Sequence, residues 1–256
     1  MPPEPPPRRV GLARALSKLG YCSRTQGLVL VRDGRVRLNG SITRNPESPV
    51  RLGRDRIEID GSIVRGTETI YLMMNKPRGI VTTASDEKRR DTVYSLLPSG
   101  LPWLAPVGRL DKASEGLLLF TNDSEWAAKA LTPETHLDKT YHVQINSVAD
   151  SALVAAITKG VRITEGGMLR AKRASILRHG PKNSWLEIVL DEGKNRQIRR
   201  MLEALRIETR RLVRVAIGPL ELGTLPKGQT RQLTAEEKCA LDDAMSWRGN
   251  TAAPLR

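Results

Sequence analysis

The segment Gly108-Arg109-Leu110-Asp111-Lys112-Ala113-Ser114-Glu115-Gly116-Leu117-Leu118-Leu119-Phe120-Thr121-Asn122-Asp123 decides how the rest of this chain is read. Pro106 and Gly108 ahead of it, and Gly116 within it, are turn punctuation. Leu117 to Phe120 is a continuous apolar run of strand length, which predicts a short buried strand. Asp111 therefore falls in a turn beside Arg109, at the mouth of a rigid element where a reactive group is well held. Taken alone, a turn aspartate is far more often a structural cap or a solvated loop residue than a catalyst. Its meaning depends on its surroundings.

Downstream, Asp191-Glu192-Gly193-Lys194-Asn195-Arg196-Gln197-Ile198-Arg199-Arg200-Met201-Leu202 joins a strand to a helix. Gly193 breaks the strand. Ile198, Met201, Leu202 and Leu205 then form one apolar stripe, with Arg196, Arg199 and Arg200 off it. On periodicity alone those arginines are a solvated basic face. Tyr141-His142-Val143-Gln144-Ile145 alternates as a half-buried strand, Ala152 to Ile157 reads as a helix, and Trp185 to Leu190 as another strand. Upstream, the strand Ile70-Tyr71-Leu72-Met73-Met74 runs into Asn75-Lys76-Pro77-Arg78-Gly79. Strands and hairpins with intervening helices predict an α+β domain over 69–238, built on a mixed, largely antiparallel sheet. Past Thr234-Ala235-Glu236-Glu237 the pattern gives a short helix, and 239–256 is expected to be a tail.

Towards the N-terminus, residues 1–8 are a proline-rich arm that cannot pack and is expected to be extended. Residues 9–61 form a small basic module. Val10, Leu12, Ala13, Leu16 and Leu19 recur at helical spacing, and Gly20 closes that helix. Ser23 offers an N-cap for a second helix through Leu28 to Val31, ended by Asp33-Gly34. Gly27 inside it predicts a looser helix, since glycine costs about 1 kcal/mol relative to alanine there. Val36, Leu38 and Ile42 fall on strands around Asn39-Gly40, a hairpin signal. Residues 62–68 read as the linker between the two domains.

The chain has 256 residues, long enough for two cores. Lysine and arginine number 42 against 28 aspartates and glutamates, a formal charge of +14. Such an imbalance attracts polyanions and makes affinity depend on salt. No stretch approaches the roughly 18 apolar residues of a membrane span. The segment Met1 to Arg9 lacks the apolar core of a signal peptide, so a cytoplasmic location without membrane contact is expected. Cys22 and Cys239 are too few and too distant for a disulfide framework, and no CxxC is present. His136, His142 and His179 show no metal-ligand spacing, so no metal is expected. With 4 Tyr, 4 Trp and 1 Phe the chain lacks a stacking platform along single-stranded nucleic acid.

Several blocks are similar, in the same order, to those of one family. Gly20, Ser23-Arg24, Gly34-Arg35-Val36 and Asn39-Gly40 resemble the S4 RNA-binding domain. Lys76-Pro77-Arg78-Gly79, the 108–123 block, Lys139-Thr140-Tyr141 and the 191–202 block resemble the motifs of the S4-domain-containing ribosomal RNA pseudouridine synthases, which act on small- and large-subunit RNA. The resemblance runs from about Arg9 to about Glu237. It implies an S4-like domain ahead of a pseudouridine synthase catalytic domain, ribosomal RNA as partner (free or in an assembly intermediate), a monomer, and no cofactor.

By residue, the resemblance makes Asp111 the essential aspartate and Arg199 the arginine paired with it. Tyr141 stacks on the extruded base, and Leu202 is an apolar wall of the pocket. Arg109 binds RNA near the site. Lys194 and Arg196 are expected to contact phosphates, which Lys and Arg neutralise without reading bases. Arg24 and Arg35 lie on the matched S4 motif. Lys76 to Gly79 shape the cleft. The matched features are shared by small- and large-subunit enzymes, with a slight preference for the large-subunit branch. From a different class stands a non-catalytic RNA-binding assembly factor on the same fold, which loss of Asp111 or Arg199 would have favoured. A hydrolase using Asp111 with Glu115 lacks a water-activating partner.

Overall fold

Two short helices begin the described part of the chain, and their ends follow from local chemistry. Leu12–Lys18 is followed by Arg24–Arg32, whose start is fixed by a reciprocal capping box. Ser23 Oγ accepts from the Gln26 amide at 3.1 Å, and Gln26 Oε1 accepts from the Ser23 amide at 3.0 Å. Gly27 does not loosen this helix. A Cβ there would lie 3.0 Å from the Ala13 carbonyl oxygen, so the glycine lets the two helices approach closely. The computed structural model describes residues 9–84, 86, 88, 90–135, 137–163 and 167–246; the proline-rich arm, His136 and 247–256 lie outside them.

The chain divides into two compact units: the residues up to Ile70 with Pro98–Ala105 and Phe120–Ser124, and Tyr71–Leu97 with Pro106–Leu119 and the chain from Glu125 onward. In the first unit the helices cover a four-stranded antiparallel sheet in the order Ser41–Ile42, Val36–Leu38, Ile57–Ile59, Ser62–Ile63. Leu12, Leu16, Val31, Val36, Val50, Ile57 and Ile59 fill its core. Asn39 and Gly40 make the hairpin turn, both at positive φ.

The expected linker over 62–68 is corrected here. Ser62 and Ile63 pair with Ile59 and Glu58, Val64 packs on the core, and Asn122 donates to the Glu68 carbonyl at 2.8 Å. The stretch looked like linker because only two of its residues are apolar. Its backbone hydrogen bonds, which composition does not reveal, are what order it.

The second unit is built on a nine-stranded sheet. Its main path runs Arg173–His179, Ser184–Leu190, Lys139–Ile145, Thr209–Ile217, Glu115–Thr121, Tyr71–Lys76, Thr230–Gln232. Most ladders are antiparallel; Thr209–Ile217 and Glu115–Thr121 run parallel. That parallel contact needs Gly116. It sits at φ +103, and a Cβ there would come within 2.2 Å of the Arg214 carbonyl oxygen.

On one face, Tyr141, Val143, Ile145, Leu186, Ile188 and Leu212 meet Ile157 and the stripe Ile198, Met201, Leu202. Elsewhere Met73, Leu117, Leu119 and Ile217 meet Trp126, Ala130, Leu241 and Met245. The last two belong to the helix Ala235–Ser246, so 239–246 is not the tail expected from the sequence. Leu241 and Met245 are buried four residues apart, and that spacing seats the helix on the core. The fold is α+β with a largely antiparallel sheet.

Candidate active site

Five consecutive carbonyls around Asp111 each have a hydrogen-bond donor. Thr82 Oγ1 donates to Leu110 O at 2.8 Å. Lys76 Nζ donates to Asp111 O at 3.2 Å and to Ser114 O at 3.0 Å. The Gly79 amide donates to Lys112 O at 2.8 Å. Arg199 Nη2 donates to Ala113 O at 2.9 Å. A turn whose backbone is held this completely fixes the direction of the side chain it carries. That side chain is the Asp111 carboxylate, 35% exposed beside Arg196 Nη1 at 3.4 Å.

Lys76 is the anchor that the sequence underrated. It ends the strand Tyr71–Lys76, is fully buried, and meets only carbonyl oxygens. Burial pushes its ammonium down to about 8, against the opposing pull of Asp111 and Glu115. The Lys-Pro-x-Gly pattern was the available signal. What it does here is clamp the Asp111 turn, Lys76 through its side chain and Gly79 through its backbone.

The two arginines stand differently from the pairing expected at Arg199. Arg196, expected on phosphate, is the one that pairs with Asp111. It caps the helix Gln197–Ala204 in the left-handed region, at φ 48, which turns its side chain away from the helical register. Arg199, expected to pair with Asp111, instead donates to the Ala113 and Thr209 carbonyls and leaves Nε buried without a partner. Burial lowers its pKa, as does Arg196, while the Asp111 charge raises it. Arg199 thus acts on Asp111 through the field and the turn backbone rather than through a hydrogen bond to the carboxylate.

Tyr141 stands on the strand next to Thr209–Ile217, opposite Arg214, and packs against the cluster that holds Ile198, Met201 and Leu202. Leu202 is wholly buried in that cluster. Arg214 is buried with Nε on Leu117 O at 2.7 Å. Arg109 and Arg24 are exposed. Lys194 pairs with Glu192 at 2.8 Å, away from Asp111. Arg35 is held by Asp60, which raises the arginine and lowers the aspartate pKa, so its charge is half spent within the protein.

Glu115 is no free acid. Its buried carboxylate receives Arg211 Nε and Nη2, each at 3.0 Å, and Lys227 Nζ at 2.6 Å. Burial would raise its pKa, and these two cations bring it below the ordinary value. The pairing partners come from a strand and a turn about 100 residues downstream and left no trace in the local sequence. Among the described residues no group of three or more His, Cys, Asp or Glu side chains is placed to hold a metal ion. No helix of the described residues is long and apolar enough to cross a membrane.

A model of the S4 domain matches residues 10–57, and one described as RNA pseudouridylate synthase matches 70–204. The chain belongs to the S4-domain-containing family of RNA pseudouridine synthases. It is 34% identical to the ribosomal large subunit pseudouridine synthase B of Bacillus subtilis, over 88% of this chain and 93% of that one. An RNA pseudouridine synthase of Aquifex aeolicus is 33% identical, over 92% and 95%. A crystal structure of a pseudouridylate synthase superposes with a TM-score of 0.63 at 28% identity, covering 91% of this chain and 99% of that one.

Proposed function

We propose that this protein isomerises specific uridines of ribosomal RNA to pseudouridine, large-subunit RNA before small-subunit RNA, with Asp111 as the reactive carboxylate and no cofactor. The reaction breaks the bond from ribose C1′ to N1 of the base, turns the base, forms the bond from C1′ to C5, and moves a proton from C5 so that N1 ends protonated. A carboxylate serves it by attacking sugar or base, or by stabilising and deprotonating the sugar. The observation that carries this reading is the clamped turn: the backbone of 110–114 is fixed while the Asp111 side chain stays accessible beside a cation.

Tyr141 supports the turned base from its strand, with Leu202 in the core behind it. Arg199 and Lys76 position Asp111. Arg109 and Lys194 meet phosphate, and Arg24 of the first unit adds contacts along the RNA. The ribosomal and large-subunit assignment draws on the Bacillus subtilis relative, whose name carries it. The protein acts in the cytoplasm as a monomer, on free ribosomal RNA or an assembly particle. The test is Asp111→Asn, with pseudouridine mapped in ribosomal RNA from a strain that carries only this variant. The expected outcome is one or more pseudouridines lost, with RNA binding intact. Retention of every modification removes Asp111 from the role.

A further inference from the structure

On the sheet face opposite Tyr141 lies an open groove of about 490 Å³, outside the site just described. Ladder registers place His142, Trp185 and Val213 on that face, since their neighbours Tyr141, Leu186 and Leu212 point into the core. A bulge between Ile176 and Arg178 in the edge strand brings Arg178 opposite Trp185. Two guanidinium groups stack on this indole: Arg178 at 5.1 Å and Arg211 at 5.6 Å from the ring centre. Val213 and Val215 make an apolar floor.

The charges here are left over after internal pairing. Arg178 is exposed, with no carboxylate within ion-pair reach among the described residues. Arg211 spends Nε and Nη2 on Glu115 and keeps Nη1. Glu115 is engaged by Arg211 and Lys227; Glu187 lies 3.7 Å from His142, a partner that carries charge only when protonated. An aromatic ring that carries two guanidinium planes beside an apolar floor suits an unpaired nucleotide: the base takes the apolar floor and the edge of an arginine plane, and the phosphate takes the arginine donors. In an aromatic-poor chain of net charge +14, the complementary partner is RNA.

We propose that this groove is a second RNA contact, which seats a single-stranded nucleotide of the substrate RNA away from the target uridine. The proposal rests on RNA as the substrate but not on Asp111 chemistry. Arg178 and Arg211 hold the phosphate, Trp185 orders both guanidinium groups, and the base lies over Val213 and Val215.

The test uses the full chain and a single-stranded 20-nucleotide RNA, with binding followed by anisotropy over a salt series. Trp185→Ala releases both guanidinium groups from the ring that orders them and is expected to weaken binding about 5-fold or more, the order of one cation–π contact. Arg178→Ala is expected to flatten the slope of log affinity against log salt by about one. Trp185→Phe keeps a stacking surface and should retain most of the affinity. Photocrosslinking should place RNA on the Ser184–Leu190 peptide. Single-turnover isomerisation at saturating RNA should stay unchanged in all three variants, which separates this contact from failure of the Asp111 assignment. Wild-type affinity in both alanine variants would overturn the proposal. So would affinity lost only in step with the melting temperature, or a crosslink to protein instead of RNA at this face.

Discussion

Lys76 Nζ bridges the carbonyl oxygens of Asp111 and Ser114, at 3.2 and 3.0 Å, from a position with no solvent exposure. A buried ammonium that touches only backbone oxygens positions the turn and does not act on substrate. Lys76→Met removes the clamp and leaves both acceptors short of a donor. Turnover is expected to fall about 100-fold, the effect of an ångström-scale misplacement of a reactive group. RNA affinity should stay near wild type. Single-turnover rates and binding isotherms on one RNA fragment check both.

The same lysine gives a pH signature. Burial lowers its pKa from the ordinary lysine value of about 10.5 to about 8 in the folded protein. Between those values the unfolded chain binds more protons, so the stability contribution rises with pH across about 8 to 10.5 and is lowest below 8. Chemical denaturation of wild type and Lys76→Met over that window should show wild type gaining stability relative to the variant as pH rises, and losing that gain as pH falls. A parallel pair of curves would place the ammonium in a more solvated setting than its burial indicates.

Arg199 and Arg196 separate structure from chemistry. Arg199 donates to the half-buried Ala113 carbonyl, and such charge-assisted bonds contribute about 1.5–3 kcal/mol. Arg199→Met should lose that stability and most of the turnover. Arg199→Lys should fare better in melts than in rates, since it keeps charge but loses the fork. Arg196→Ala removes a half-exposed pair and is expected to cost less than about 1 kcal/mol of stability, with its effect concentrated in the rate. Thermal melts beside single-turnover rates settle the comparison, and equal losses of stability at the two positions would contradict it.

Glu115 is expected to behave as a structural anion. Glu115→Gln leaves Arg211 and Lys227, both more than a third exposed, without their countercharge and should destabilise by about 1–3 kcal/mol, the cost of weakening hydrogen bonds to a buried charged group. Its folded pKa is depressed, so the wild-type contribution is present above the usual glutamate range and disappears as pH falls through the folded value. Melting temperatures from pH 7 downwards should converge for the two proteins at acid pH.

Much of the site was legible before any coordinates. Leu117 to Phe120 announced a buried strand, and the strand spans Glu115–Thr121. Asp111 fell in the turn ahead of it. Ile198, Met201 and Leu202 formed the helical stripe that the core confirms. These are local or periodic features, written within a few residues of one another, and the hydrophobic effect acts on them through spacing alone. The same holds for Ser23, whose capping box closes within four residues of chain.

What the tertiary structure alone decided are the partnerships. Which arginine meets Asp111 turned on the left-handed backbone at Arg196 and on the distance between two segments 85 residues apart. The donors to the 110–114 turn come from Lys76, Gly79, Thr82 and Arg199, and Gly116 is fixed by the Arg214 backbone beside it. Composition cannot distinguish a linker from Ser62–Ile63, whose order comes from a neighbouring strand, nor a tail from the helix that buries Leu241. Side-chain type fixes what a residue can donate, accept or bury, whereas hydrogen bonds and ion pairs reach only about 3–4 Å. Which groups come that close is set by the packing of the whole sheet.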